Sequence, residues 1–289
     1  MDLCDLRTIR DLLGRHGFHF SKSMGQNFLI EAAVPQDIAE SSGADETSGM
    51  LEIGPGIGPL TVQLARRAAK VVAVELDRTL LPVLEETLAE YDNVEVVSGD
   101  VMKLNLPALV AEKFPGLTPR VCANLPYNIT TPVLTAIVEA KCFDSLTVMV
   151  QREVALRVCA RPGTADYGAF SLFMQYHTEP ELLFDVPPTC FHPASKVTSS
   201  VLRCQLRKTP AVQPADEAFF FRTVRAGFAL RRKTLLNSLS SVFGTQLDKE
   251  ALREAIEVCG LPADVRGERL GLAEYAALSD ELLRRIQAK

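Results

Sequence analysis

The sequence lacks what would place it in a membrane, a disulfide-stapled shell or a metal site. No apolar run approaches the roughly 18 residues that a membrane-spanning helix needs. The first residues, Met1, Asp2, Leu3, Cys4 and Asp5, are acidic, where a secretory leader would be basic and then apolar. Seven cysteines, at 4, 122, 142, 159, 190, 204 and 259, form no Cys-x-x-Cys pair and are odd in number. They read as reduced thiols of a cytoplasmic protein, so neither a disulfide framework nor a zinc site is expected. Four scattered histidines offer no metal spacing. Repeats and low-complexity tracts are missing as well. So is an excess of positive charge: the net charge is −5.

What is present is ordinary globular material. With 289 residues, 47% apolar and 23% charged, the chain suits one large domain and one smaller one. Its charge is unevenly spread. Residues 31–185 hold 22 acidic and 11 basic side chains, whereas residues 190–246 hold nine basic ones against Asp216 and Glu217. The basic block includes Arg222, Arg225, Arg231, Arg232 and Lys233. It can neutralise phosphates locally even on an acidic protein; a solvated helix face is the alternative.

Short β-branched runs alternate with helical patterns over the first 180 or so residues. Met50–Ile53, Val71–Glu75, Val94–Ser98, Arg120–Ala123 and Thr147–Gln151 read as strands, with Leu182–Val186 and Val197–Leu206 as further candidates. Gly58–Ala69, Arg78–Glu90 and Leu106–Lys113 read as helices between them. That order predicts an α/β fold, a parallel sheet with right-handed crossovers and helices on both faces. Thr209–Pro214 reads as a linker. Beyond it, Ala215–Ala229, Arg232–Leu239, Lys249–Val258 and Ala273–Ile286 predict a small all-helical C-terminal domain.

Leu51 to Gly58 reads as a strand entering a glycine-rich turn and then a helix. Glycines allow close backbone approach, and a helix N-terminus offers free N–H groups. Glu75 ends the next strand, 21 residues after Gly54, where a dinucleotide fold places its ribose-binding carboxylate. NAD, FAD and S-adenosylmethionine all fit this pattern, and such turns also occur without a ligand. Asp100 and Asn124 follow at intervals of 25 and 24 residues. Gly54, Glu75, Asp100 and Asn124 therefore stand at the carboxyl ends of four successive strands, the edge at which open α/β sheets bind ligands. A helix-capping role is the alternative for Asp100.

Asn124, Leu125, Pro126 and Tyr127 point to a particular chemistry. An adenine amino group is a poor nucleophile because its lone pair is delocalised into the ring. An Asn oxygen and a neighbouring backbone carbonyl can accept its two hydrogens and favour a tetrahedral, reactive nitrogen. Pro126 fixes φ in the turn, and Tyr127 offers a face for an extruded base, worth about 1–3 kcal/mol. No general base stands in the motif, and none is needed if methyl transfer precedes proton loss.

Six ordered blocks carry a resemblance to a known family. They are Gly25 to Leu29, Glu52 to Gly56, Glu75 to Asp77, and Gly99-Asp100 followed by Asn124 to Asn128 and Ile129 to Pro132. Phe191 and Pro193 with Lys196, Val197 and Ser199 are next, and Arg231 to Leu235 with Asn237 come last. In these blocks the chain resembles the ribosomal RNA adenine dimethyltransferase family, and within it the bacterial small-subunit branch. The resemblance implies a class I methyltransferase fold of the Rossmann-like kind, with S-adenosylmethionine as donor. It also implies dimethylation of two adjacent adenosines in the 3′-terminal hairpin loop of 16S rRNA, with the small ribosomal subunit as partner. Carried over by position, Asn27 and Leu29 would close over the cofactor from an arm spanning residues 1–30. Within a catalytic domain of residues 31–208, Gly54 would face its methionine part, Glu75 its ribose, Asp100 its adenine, and Asn124 both cofactor and target. Phe191 would add a second face to the base pocket; without the resemblance it reads as a core aromatic. Residues 209–289 would dock the ribosome. A monomer is expected, with no membrane and no metal. Met24 departs from the family's usual aromatic, and Ala194 and Ser195 from its usual prolines, which bears on the base contacts and not on the reaction.

Other readings compete. The antibiotic-resistance branch, acting on large-subunit rRNA, uses the same motif, but Leu125 and an Arg-Arg-Lys-Thr helix favour the small-subunit branch. A DNA adenine methyltransferase would need a target-recognition insertion. Asn124–Tyr127 argues against a non-catalytic nucleic-acid-binding factor on this fold, and a dehydrogenase would explain neither that block nor the basic residues.

Overall fold

The computed structural model describes residues 1–18 and 27–288; Met24, Gly25 and Gln26 lie outside them. By their contacts, the residues form two units, one of 1–155 and 180–206, the other of 156–179 and 207–289.

In the first unit, α1 (Leu6–Arg15) precedes β1 (Phe28–Leu29) and α2 (Ala33–Ser41). Then come β2 (Ser48–Ile53), α3 (Pro59–Ala65), β3 (Lys70–Glu75), α4 (Leu81–Thr87), β4 (Val94–Ser98), α5 (Leu106–Lys113), β5 (Thr118–Asn124), α6 (Thr130–Ala140) and β6 (Ser145–Gln151). The chain leaves this unit within α7 (Arg152–Cys159), runs through α8 (Ala169–His177), and returns within β7 (Thr178–Val186), followed by β8 (Phe191–His192) and β9 (Ser199–Leu206).

The main sheet has the order β4-β3-β2-β5-β6-β9-β7. Neighbouring pairs from β4 to β6 are parallel, and β9 joins β6 antiparallel. Every residue of β2 is buried, as expected of a parallel strand covered on both faces. On one face, Val34 and Ile38 of α2 and Leu60 and Leu64 of α3 pack over Met50, Val71 and Cys122. Helix α1 adds Ile9, Leu12 and Leu13 to a separate cluster with Phe28, Ile57, Leu80 and Val83. Leu3, Ile9, Leu12, Leu13 and Phe18 thus anchor residues 1–18 in the core of this unit.

Two expected helices are shorter than read. α3 stops at Ala65 because Ala69 must already bond Ser48 O, at the start of the sheet, before β3 begins at Lys70. The stretch from Arg78 opens as a 3₁₀ turn, Arg78–Leu80, and α4 starts at Leu81 with Pro82 in its first turn. A proline there has no N–H to carry a helix in from Arg78.

In the second unit, α9 (Glu217–Gly227), α10 (Leu235–Phe243), α11 (Lys249–Val258) and α12 (Leu272–Gln287) follow the linker. Their core includes Phe220, Val224, Leu239, Phe243, Leu252, Tyr275 and Leu278, and α8 contributes Leu172 and Tyr176 to it. This packing corrects the expected division at residue 208: residues 156–179 bury their apolar side chains with the helices that follow, so the sequence order of the units is interleaved. Arg231, Arg232 and Lys233 also differ from expectation. They lie in the exposed turn between α9 and α10, not on a helix, because two helices packed on each other need a reversal there. Among the described residues, no helix is long and apolar enough to cross a membrane.

Candidate active site

The sheet order places β4, β3, β2 and β5 side by side, so the residues at their carboxyl ends share one edge. Asn27, Leu29, Gly54, Glu75, Asp100, Asn124, Leu125, Pro126, Tyr127 and Phe191 all line one cavity there. It opens where the strand order reverses, between β2 and β5, the position at which open α/β sheets bind ligands.

Each wall has a local cause. Gly54, Gly56 and Gly58 all take positive φ, so the chain turns tightly from β2 into α3, with Gly58 as N-cap and Pro59 behind it. Glu75 is buried at the end of β3, where its carboxylate accepts from Asp77 N at 2.7 Å and Gly56 N at 3.4 Å. Burial raises its pKa, and those N–H groups oppose the rise. Asp100 caps the 3₁₀ turn Val101–Lys103, accepting from Met102 N at 3.0 Å, and also faces the cavity. The capping and cavity-lining readings are therefore both met.

Asn124 ends β5, and Leu125 N donates to Met149 O, which ties the loop to β6. The Pro126 carbonyl accepts from Ile129 N at 3.2 Å and from Thr130 Oγ1 at 3.1 Å, which turns the chain into α6. The Tyr127 hydroxyl lies 2.7 Å from Ser199 Oγ and 3.3 Å from Ser195 Oγ. Phe191 faces Leu29 in the short antiparallel β1–β8 ladder; it is at once a core aromatic, 3% exposed, and a wall of the cavity.

Glu52 stood in a recognised block but had been given no role. It is 1% exposed, lines the cavity, and its Oε2 has no hydrogen-bond partner. Burial, with Glu75 nearby, pushes its pKa up to about 8. The signal available in sequence was a carboxylate inside an apolar strand two residues before the glycine turn.

The basic residues belong to the second unit. Arg225, Arg231, Arg232 and Lys233 are exposed. Arg222 is not free in the same way: its guanidinium sits 4.7 Å from the centre of the Phe243 ring and donates to Gln246 Oε1 at 2.9 Å. The fold also adds a residue that sequence proximity hid. Arg231 donates to Ala165 O, and Arg269 packs at Gly163, two residues away on the same loop. Among the described residues, no group of three or more His, Cys, Asp or Glu side chains could hold a metal ion.

A parallel sheet with a glycine turn, two strand-end acids and an Asn-Leu-Pro-Tyr loop at one edge defines a Rossmann-like methyltransferase. Residues 17–262 match the family model described as ribosomal RNA adenine dimethylase. Ribosomal RNA small subunit methyltransferase A of Alkaliphilus oremlandii is 45% identical over 281 residues, 97% of this chain and 98% of that protein. Its counterpart in Geobacillus thermodenitrificans is 46% identical over 285 residues, 98% and 97% of the two chains. Among solved structures, the 23S rRNA methyltransferase ErmE is similar at a TM-score of 0.69 with 25% identity, covering 89% of this chain and 99% of its own. A dimethyladenosine transferase from Plasmodium falciparum shares the fold at a TM-score of 0.73, with 22% identity over 89% of this chain and 98% of its own. The chain belongs to the ribosomal RNA adenine dimethylase family. It is an enzyme that transfers methyl groups to rRNA adenine, with S-adenosylmethionine as its cofactor.

The residues present fit that cofactor. A nucleoside brings ribose hydroxyls to a cavity lined by the Glu75 carboxylate, and the same cavity holds an unpartnered buried carboxyl oxygen on Glu52 that can take a hydrogen bond. The glycine turn adds close backbone approach, since Gly54 and Gly56 take positive φ and carry no Cβ.

Proposed function

We propose that this enzyme dimethylates the exocyclic amino groups of two adjacent adenosines in the 3′-terminal hairpin loop of 16S rRNA during small-subunit biogenesis. It acts as a cytoplasmic monomer without a metal ion. The observation that carries the reading is the meeting of Asn124 and Tyr127 with Glu75 and Asp100 around one cavity. The choice of small over large subunit rests on 45–46% identity to small-subunit enzymes across nearly the whole chain, against 25% to ErmE.

Glu75 would hold the ribose hydroxyls, Asp100 the adenine, and Gly54 the methionine part, with Asn27 and Leu29 closing from β1. When bound, the cofactor supplies an electrophilic methyl group. Asn124 Oδ1 would accept one hydrogen of the target amino group. The second acceptor falls to Leu125 O, since both lone pairs of Pro126 O are already engaged. Tyr127 and Phe191 would stack the extruded base. Arg225, Arg231, Arg232 and Lys233, joined by Arg269, would contact rRNA phosphates; Arg222 is assigned to packing instead.

Mass-spectrometric mapping of dimethyladenosine in rRNA from a strain lacking the gene tests this. The two adjacent 16S adenosines should be unmethylated there and restored by the intact gene. Loss of a 23S mark with the 16S pair intact would overturn the assignment in favour of the large-subunit reaction.

A further inference from the structure

The segment from Pro193 to Val197 is exposed at Pro193, Ala194, Lys196 and Val197, yet Ser195 turns inward and is only 9% exposed. Its hydroxyl has three partners in view. Ser195 Oγ lies 2.9 Å from Val197 O, 3.3 Å from Val197 N and 3.3 Å from Tyr127 Oη, while Tyr127 Oη lies 2.7 Å from Ser199 Oγ. A hydroxyl has one hydrogen to donate and two lone pairs to accept with. Val197 O can only accept, so the Ser195 hydrogen goes there. Tyr127 must then donate to Ser195, and Ser199 must donate to Tyr127. Only this direction makes every contact a hydrogen bond: Ser199 to Tyr127, Tyr127 to Ser195, and Ser195 to Val197 O.

We infer that Ser195 and Ser199 are positioning residues, which fix the Tyr127 ring on the target-base side of the cavity through this one-way chain of hydroxyls. The inference rests on the proposal that Tyr127 stacks the base. Two consequences follow from the chain's direction. The phenol hydrogen is committed to Ser195, so Tyr127 acts through its ring and exchanges no proton with the target amino group. The chain also ties the segment that follows Phe191 to the loop that follows Asn124, so both faces of the base pocket are held in one register. A residue without a hydroxyl at 195 could neither accept from Tyr127 nor donate to Val197 O.

Methyl transfer to undermethylated small subunits, with cofactor affinity measured alongside, tests the inference through a double-mutant cycle. Ser199→Ala and Ser195→Ala should each lower kcat about twofold to tenfold, the rate equivalent of one neutral hydrogen bond. Cofactor affinity should not move. In a Tyr127→Phe background, Ser199→Ala should have no further effect, Ser195→Ala should cost less than in the wild type because only its bonds to Val197 remain to be lost, and the shape of the pH–rate profile should match the wild type. Additive losses in the double variants, or a changed pH profile in Tyr127→Phe, would overturn the clamp. Ser195→Ala, on the loop, remains decisive should Ser199→Ala fail to fold. Tyr127→Ala separates the two ideas: full activity there would remove the stacking reading itself, whereas a dead Tyr127→Ala with additive serine effects would remove only the clamp.

Discussion

Glu52 and Glu75 are two carboxyls in one cavity, and burial raises the pKa of both. Glu52, at about 8, keeps its proton in the folded protein at neutral pH, while in the unfolded chain it ionises near 4.5. Between those values the native state binds a proton that the unfolded state lacks, so stability should fall as pH rises from about 4.5 to about 8 and level off above. Thermal melts across that window should show a shallower decline for Glu52→Gln than for the wild type; parallel curves would mean that Glu52 does not carry the proton. Glu75→Ala should weaken cofactor binding by about 1.5–3 kcal/mol for each charge-assisted hydrogen bond lost, read by calorimetric titration. Unchanged affinity would displace the ribose from Glu75. Asn124→Ala should abolish transfer to rRNA with the melting curve intact, because it removes an acceptor at the nucleophile and no core packing; near wild-type transfer of tritiated methyl groups would refute that role.

At the scale of elements, the second unit depends on a close approach between α9 and α12. A methyl group at Gly227 would collide with the hydroxyl of Tyr275, a fully buried side chain that donates to Gly267 O at 3.0 Å. Gly227→Ala should therefore cost about 1–3 kcal/mol by overpacking, visible as a lowered melting temperature. An unshifted melt would show that α12 can slide to make room. The strands were legible because Val71–Glu75 or Val94–Ser98 are β-branched runs closed by polar residues, and their ends located Gly54, Glu75, Asp100 and Asn124 directly. Helices α1, α2, α6, α7 and α8 were not read. α6 opens Thr-Thr-Pro and continues with Val and Ile, and β-branched residues have weak helix propensity until packing decides the matter. Glu52 and the Tyr127–Ser195–Ser199 chain escaped for a different reason: burial and long-range hydroxyl contacts have no local pattern along the chain.

Over the whole molecule, the two units carry net charge of opposite sign. Counting 156–179 with the C-terminal helices, the second unit carries 16 Lys and Arg against 13 Asp and Glu, a net of +3, while the first carries −8. An enzyme for two adenosines must find them on a very large RNA. Extruding a loop base costs a few kcal/mol at most, so the cavity alone gives little discrimination among sites. On the proposed reading, long-range attraction would fall to the second unit, whose exposed cations include three in the turn between α9 and α10. Arg231, Arg232 and Lys233 are free of carboxylate partners within ion-pair distance among the described residues, and phosphate contacts of this kind fix position without reading sequence. Replacing all three by Glu should weaken binding to the small ribosomal subunit and flatten its salt dependence by about two to three log units per log salt, at a slope near 0.9 per phosphate lost. Cofactor affinity should be unaffected, because these residues do not line the cavity, and the melting temperature should fall only slightly, through loss of the exposed Arg231–Ala165 hydrogen bond. Normal subunit binding by the triple variant at moderate salt would mean that the turn is only solvated, and that the rRNA is held by another surface.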